Sequence, residues 1–292
     1  MQKPQWLAIK PASTEKYSEV KRTIAELGLH TVCTEARCPN ASECWDGGTA
    51  TFMVLGDLCT RGCRFCSVSK AIGGKEPDRA EPQKLARAIA SWGLSYVVLT
   101  SVCRDDLPDQ GSTHFAECVK AIKTANPKVI VELLIPDFRA DEECLRVIAN
   151  SGAEVVGHNI ETVESLSAHI RDRRASYIQS LQVLKMVKAL NPSVKTKSAL
   201  MLGIGETEAQ VLSAMDDLRA AGVDFIAIGQ YLRPTSMQME VKEYVPPEMF
   251  DFYRRKALEK GFAYAAAGPF VRSSYRAGEH FASALIGRNA ST

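Results

Sequence analysis

Three thiols fall close together in Cys59-Thr60-Arg61-Gly62-Cys63-Arg64-Phe65-Cys66. Gly62 lets the loop turn tightly enough to aim them at one point. Three thiolates suit a soft metal. They could hold a [4Fe–4S] cluster and leave one iron without a protein ligand. They could also form three quarters of a zinc site whose fourth ligand lies far away in sequence. The first arrangement is reactive, because an open iron can bind another molecule. The second is structural. Upstream, Cys33, Cys38 and Cys44 form a second triplet in a turn-rich stretch containing Pro39. Its wider spacing also allows a cluster or a zinc site. The other cysteines read as ordinary residues. Cys118 and Cys144 fall in helical segments as small core side chains. Cys103 lies nearer the first triplet and is read as structural.

These thiols need a scaffold. From residue 51 the chain alternates short apolar runs with longer amphipathic segments. Runs at 51–55, 95–100, 129–134, 154–157, 196–202 and 224–228 read as strands. The segments between them read as helices, such as 83–92 after Pro82, 115–125 before Asn126-Pro127, and 208–221 before Gly222. Six β-then-α units in series predict a parallel sheet with right-handed crossovers. After the first strand, residues 57–79 form a long connection, and long connections in compact domains are usually functional. Parallel α/β folds place their sites at the C-terminal ends of the strands. The first cysteine triplet sits there. Residues 1–50 differ in character, with prolines at 4, 11 and 39 and a helical pattern over 17–27 closed by Gly28. From Pro246 another helical stretch runs to Gly261, followed by a last apolar run at 262–267. The expected organisation is an N-terminal extension at 1–50, an α/β body at 51–245 and a C-terminal extension at 246–292.

The chain has 292 residues, 46% hydrophobic and 24% charged. That is enough to bury a core without disulfides. A net charge of +2 argues against a general nucleic-acid binder or a membrane-attracted surface. No apolar run reaches the roughly 20 residues of a membrane span. The first residues lack an apolar core and a cleavage site, so a cytoplasmic protein is expected. In a reducing compartment, nine cysteines point to metal binding or catalysis rather than disulfides. Two readings compete: a metal-cluster enzyme, and a binding module with two zinc-stabilised loops that recognises RNA or protein.

A resemblance favours the first. Cys-x3-Cys-x-Phe-Cys after the first strand resembles the signature of the radical S-adenosylmethionine superfamily. With the upstream Cys-x4-Cys-x5-Cys and Arg272-Ser273-Ser274-Tyr275, the chain resembles the lipoyl synthase family. Further matching segments are Thr100–Leu107, Gly157–Thr162, 194–203 and Gly229–Pro234. The likeness extends over about residues 20–285. One departure is Gln110, where the family often has a glycine.

The resemblance implies a partial (β/α)6 barrel of the TIM type, with N- and C-terminal extensions. It implies two [4Fe–4S] clusters. One, on Cys59, Cys63 and Cys66, would bind S-adenosylmethionine through its open iron and yield a 5′-deoxyadenosyl radical. An auxiliary cluster on Cys33, Cys38 and Cys44, with Ser273 as fourth ligand, would supply sulfur. The implied reaction inserts sulfur at C6 and C8 of an octanoyl group on a lysine of a lipoyl carrier domain. The implied carriers belong to 2-oxoacid dehydrogenase complexes and to the glycine cleavage H protein. A low-potential electron donor and an iron–sulfur carrier are further implied partners; neither nucleic acid nor membrane is. Within this frame Glu132 could hydrogen-bond a ribose, Asn159 the ribose or the methionine carboxylate, and Arg171 could pair with that carboxylate. Gln230 and Tyr231 could line an adenine pocket. His158 reads as a hydrogen-bonded wall residue, and Asp105 and Asp106 as structural. Lys197, if it points inward, would be a costly buried charge.

Overall fold

The computed structural model describes residues 3–7, 15–35, 38, 40–46 and 51–275. In the N-terminal part, α1 (Glu15–Leu27) precedes β1 (His30–Thr31), α2 (Val32–Glu35) and α3 (Ala41–Asp46). Next come β2 (Thr51–Val54), the two short strands β3 (Leu58–Cys59) and β4 (Ser69–Lys70), and α4 (Glu81–Ser91). The rhythm continues through β5 (Tyr96–Ser101), α5 (Ser112–Ala125), β6 (Ile130–Leu134), α6 (Glu142–Ala149) and β7 (Val155–Gly157). It ends with α7 (Glu164–Ile170), α8 (Tyr177–Leu190), β8 (Lys195–Leu202), α9 (Glu208–Ala220), β9 (Phe225–Gln230), α10 (Pro247–Glu259) and β10 (Tyr264–Gly268). No helix among the described residues is long and apolar enough to cross a membrane.

Local chemistry sets these boundaries. Pro82 sits in the first turn of α4, where its missing N–H costs nothing. Thr207 and Gln210 form a reciprocal capping box at the start of α9. Asp141 and Ser176 accept from backbone N–H groups at the starts of α6 and α8. Every residue of β2 and β9 is buried, as strands covered on both faces must be.

One sheet carries the fold, in the order β1-β2-β5-β6-β7-β8-β9-β10. All its pairings are parallel except β1 on β2. The sheet ends at β1 and β10, so it is an open, partial barrel. The six expected strands are all present. A further one, β10, comes from the last apolar run and pairs with β9 from Tyr264↔Phe225 to Gly268↔Gly229. The segment expected as a C-terminal extension therefore begins as a continuation of the sheet. The apolar run 262–267 shows no clear alternation because successive small residues, Ala265 and Ala266, are both buried beside β9. Cys118 and Cys144 lie in the hydrophobic core, as expected.

Beyond Gly268 the chain turns into a strap, 269–275. A Cβ on Gly229 would lie 2.0 Å from the Val271 carbonyl oxygen. Only glycine lets the strap lie this close to β9. Gln110 sits at φ 52°, immediately before Gly111 at φ 89°. Left-handed backbone there accounts for a preference for glycine. In this chain the Gln110 amide instead donates to the Phe138 carbonyl at 3.1 Å.

Candidate active site

A cavity of about 260 Å³ opens at the C-terminal ends of β5, β6 and β7, and Cys59, Cys63, Cys66 and Cys103 all line it. The thiol loop is pinched at its base where β3 pairs with β4. Neighbouring elements then fix its interior. Arg64 N–H donates to the Ile170 carbonyl at the end of α7, at 2.8 Å. Gly62 N–H donates to Asp172 at 2.7 Å. Two backbone N–H groups point at sulfur, Arg61 toward Cys59 at 3.4 Å and Asp172 toward Cys63 at 3.3 Å. The loop after β9 closes the far side, with Gln238 donating to the Cys66 carbonyl.

Arg61, inside the triplet, is buried and clamps two acids. It donates to Asp105 at 2.9 Å and to Asp137 at 2.7 Å. The loop is thereby tied to the ends of both β5 and β6. Burial pushes the Asp105 and Asp137 carboxyls up, but hydrogen bonds from Arg61 outweigh it and hold both low.

Burial drives the Cys66 thiol up to about 12 and raises Cys63 as well. Cys59 goes the other way, chiefly because the Cys103 thiol hydrogen-bonds to it. Half-buried thiols of this kind are deprotonated together when they ligate a metal. Cys103, expected as structural, thus belongs to the cavity wall.

Asn159 and Arg171 both reach the cavity. The Asn159 amide donates to Glu161 at 3.3 Å, and its Oδ1 is buried without a hydrogen-bond partner among the described residues. Arg171 is anchored by bonds to Ser176 and Ser180. Glu161 lines the same wall at φ 68°. Burial raises its carboxyl above the usual range, and Arg171 offsets this only in part. His158 is a wall residue, as expected, bonded to Ile135 and Ser180.

Three expected contacts do not reach the cavity. Glu132 lies deeper, at mid-strand in β6, where Lys197 bonds it at 2.9 and 3.0 Å and Tyr96 at 2.6 Å. Lys197 does point inward, and Glu132 is its partner. Gln230 spends its amide on the carbonyls of Leu202, Tyr231 and Glu243 and accepts from Val245 N–H. Tyr231 donates to the Met239 carbonyl and packs against Ile170 and Ile204. Sequence reasoning missed Arg61, Asp137 and Glu161. Arg61 was visible as a charge enclosed by thiols, and Glu161 as an acid two residues beyond Asn159. Asp137 carried no signal of its own.

The upstream triplet is built separately. Cys38 N–H donates to the Cys33 carbonyl at 3.2 Å, and Cys44 N–H to the Asn40 carbonyl at 2.9 Å. Burial, then the neighbouring Cys38, pushes Cys33 up to about 11. The 269–275 strap reaches this region. Asn40 donates to the Phe270 carbonyl at 2.6 Å, and Tyr275 donates to Glu43 at 2.8 Å. On the strap, the Ser273 hydroxyl is buried and has no hydrogen-bond partner among the described residues.

A Radical SAM superfamily model matches residues 53–229. The chain is 53% identical over 290 residues to a protein of Picea sitchensis named "Lipoyl synthase, mitochondrial", covering 97% of this chain and 75% of that one. It is 54% identical to the protein of the same name from Lachancea thermotolerans, covering 98% and 79%. The chain belongs to the lipoyl synthase family. Solved structures agree on the fold. Methylornithine synthase superposes with a TM-score of 0.58 at 14% identity over 85% of this chain and 74% of that one. Streptococcus suis SuiB bound to S-adenosylmethionine gives 0.54 at 12%, over 75% and 50%. Membership sets aside the zinc-loop binding module. As a radical SAM enzyme, this lipoyl synthase family member uses a [4Fe–4S] cluster and S-adenosylmethionine. The cavity fits them: three convergent thiols for the cluster, and in Asn159 Oδ1 a buried acceptor awaiting a donor.

Proposed function

We propose that the chain inserts sulfur at C6 and C8 of an octanoyl group on a lysine of a lipoyl carrier domain. In this reading a second [4Fe–4S] cluster, held by Cys33, Cys38, Cys44 and Ser273, is the sulfur source. The observation that carries it is the Ser273 hydroxyl, buried without a partner on a strap bonded to Asn40 within the upstream triplet. A buried hydroxyl left unpaired is costly, and a fourth iron ligand would resolve it.

Carbons 6 and 8 carry no acidic proton, so side-chain acids and bases cannot activate them. The bound clusters and S-adenosylmethionine supply the one-electron chemistry. The chain's own residues do the rest. Cys59, Cys63 and Cys66 hold one cluster, with Arg61, Asp105 and Asp137 keeping their loop against the barrel. Asn159, Glu161 and Arg171 offer an acceptor, an acidic and a cationic group to the cosubstrate. Carrier domains of 2-oxoacid dehydrogenase complexes and the glycine cleavage H protein, a low-potential electron donor, and an iron–sulfur carrier belong to this proposal. A cytoplasmic setting is part of it too, since the thiols must stay reduced.

The test is anaerobic turnover with an octanoylated lipoyl-domain peptide, read by product mass. Gain of two sulfur atoms is expected. Production of 5′-deoxyadenosine with no sulfur gained would overturn the proposed substrate.

A further inference from the structure

We propose that Glu81 is a positioning residue for the cavity cluster. Its carboxylate ties the strained exit of β2 to the start of α4, and so closes the base of the loop that carries Cys59, Cys63 and Cys66. The inference rests on that triplet holding the cluster.

The loop leaves β2 through Leu55 and Gly56, at φ 68° and 84°. Glycine adopts this left-handed backbone freely, whereas a leucine must be held in it. Leu55 is buried and gripped at three points. Its N–H donates to Glu81 Oε2 at 3.1 Å. Its carbonyl accepts from Arg104 at 3.3 Å. Its side chain fills the space left by Gly111, where a Cβ would lie 2.2 Å from Leu55 Cδ1.

Glu81 is the first residue of α4, the helix that follows the loop. Leu55 and Glu81 therefore bracket the segment bearing all three thiols, and one hydrogen bond joins them. An acid in the first turn ordinarily serves its own helix end. α4 starts without a side-chain cap, yet the Glu81 carboxylate bonds away from it, to Leu55 and to His114. His114, on α5, is buried and donates from Nε2 at 2.6 Å. A buried carboxylate needs such partners. Arg104 forms a second clamp. It joins the Leu55 carbonyl to Asp106, which accepts from Gly74 N–H at 3.2 Å further along the loop. Cys59 follows Leu55 by four positions, so the chain direction fixed at Leu55 sets where the first thiol is delivered.

Two conservative variants separate reach from charge. They are made in a full-length Cys33→Ala/Cys38→Ala/Cys44→Ala background, which removes the upstream triplet. Glu81→Asp keeps the charge but is one methylene too short to bridge Leu55 and His114. Glu81→Gln loses the charge but still presents an oxygen to the Leu55 N–H. Leu218→Ala, a core change on α9, controls for general loss of stability. After anaerobic reconstitution, the rate at which a chelator strips the iron is measured. Glu81→Asp should lose iron several times faster than both the background and Leu218→Ala, and Glu81→Gln should match the background. Glu81→Asp stripping no faster than Leu218→Ala would overturn the proposal, because the residue would then matter only to stability. Fast stripping of Glu81→Gln would overturn it too, since charge and not the bond to Leu55 would be what counts. Should Glu81→Asp fail to fold, the Glu81→Gln rate decides in the same way. A background that takes up no iron would overturn the placement of the cluster on the cavity triplet, and this proposal with it.

Discussion

Asn40 and Phe270 stand 230 positions apart in sequence, yet the Asn40 amide donates to the Phe270 carbonyl at 2.6 Å. Asn40 lies between two cysteines of the upstream triplet, and Phe270 three residues before Ser273. This bond registers the strap against the triplet. Asn40→Ala should cost about 1–2 kcal/mol, the loss of a bond to a partly buried carbonyl. In the reconstituted protein, iron should fall from roughly eight toward four per chain. Unchanged iron content would show that the strap needs no such register.

The two triplets should separate by function. Cys63→Ala removes a ligand in the cavity and should abolish S-adenosylmethionine cleavage. Cys38→Ala should leave some cleavage and block sulfur insertion. Chromatography of 5′-deoxyadenosine and mass spectrometry of the peptide read the two steps apart. Lipoyl product from Cys38→Ala would remove the upstream triplet from sulfur supply.

Ser273 and Ser274 are adjacent but not equivalent. Of these two, Ser273 alone has a buried hydroxyl without a partner among the described residues. A serine oxygen is harder than a thiolate and matches cluster iron poorly. In the proposed site, such a bond would be suited to breaking once sulfur is drawn away. Ser273→Cys should keep both clusters and lose most sulfur insertion, while Ser274→Ala should be mild. Near-normal lipoyl formation by both variants would contradict the assignment.

Glu132 provides a contrasting test. Its buried carboxylate is held by Lys197 and Tyr96. Glu132→Ala leaves the Lys197 ammonium unpaired and should cost about 3–5 kcal/mol of stability. The folded fraction should bind S-adenosylmethionine as the parent does. Equilibrium dialysis at a temperature where the variant is folded checks this, and a large loss of affinity would return Glu132 to the cofactor site.

How much of this was legible in the sequence depends on what each residue answers to. Strands and thiol loops answer to local rules, so the six strands and both triplets could be read from apolar runs and spacing. Glu132, Gln230 and Tyr231 could not be placed by such rules. Each looks like a polar group at or near a strand end, but Glu132 is taken up by the side chain of Lys197, two strands away on β8. The return of the chain at 242–245 consumes Gln230. Asp137 gained its meaning only through Arg61, 76 residues earlier. β10 escaped because an alanine run is as suited to a helix as to a strand, and only its place beside β9 decides.

His158 makes stability depend on pH. Burial first, then Arg171, lowers its imidazole to about 4, against about 6.5 when unfolded. The unfolded chain therefore binds the proton more tightly. This contribution is whole above about pH 6.5 and is lost progressively as pH falls toward about 4, by about 3 kcal/mol in total. Denaturant midpoints of cluster-free protein at pH 7 and pH 5 should show the decline. His158→Gln should flatten it, and an equal decline in the variant would assign the effect to other groups.

The span between Asn40 and Phe270 has a consequence for synthesis. During translation the three upstream cysteines leave the ribosome long before Ser273 does. Until then the proposed sacrificial site cannot close. Bringing such distant segments together costs about 5 kcal/mol of loop entropy in an unfolded chain, a cost that the sheet between them removes by folding first. The cavity triplet, eight residues from Cys59 to Cys66, waits only for the segments through Gln238 that hold its loop. A nascent chain thus acquires the means of making a radical before the means of using it. Loading of the auxiliary site then serves as a report that the barrel has been completed.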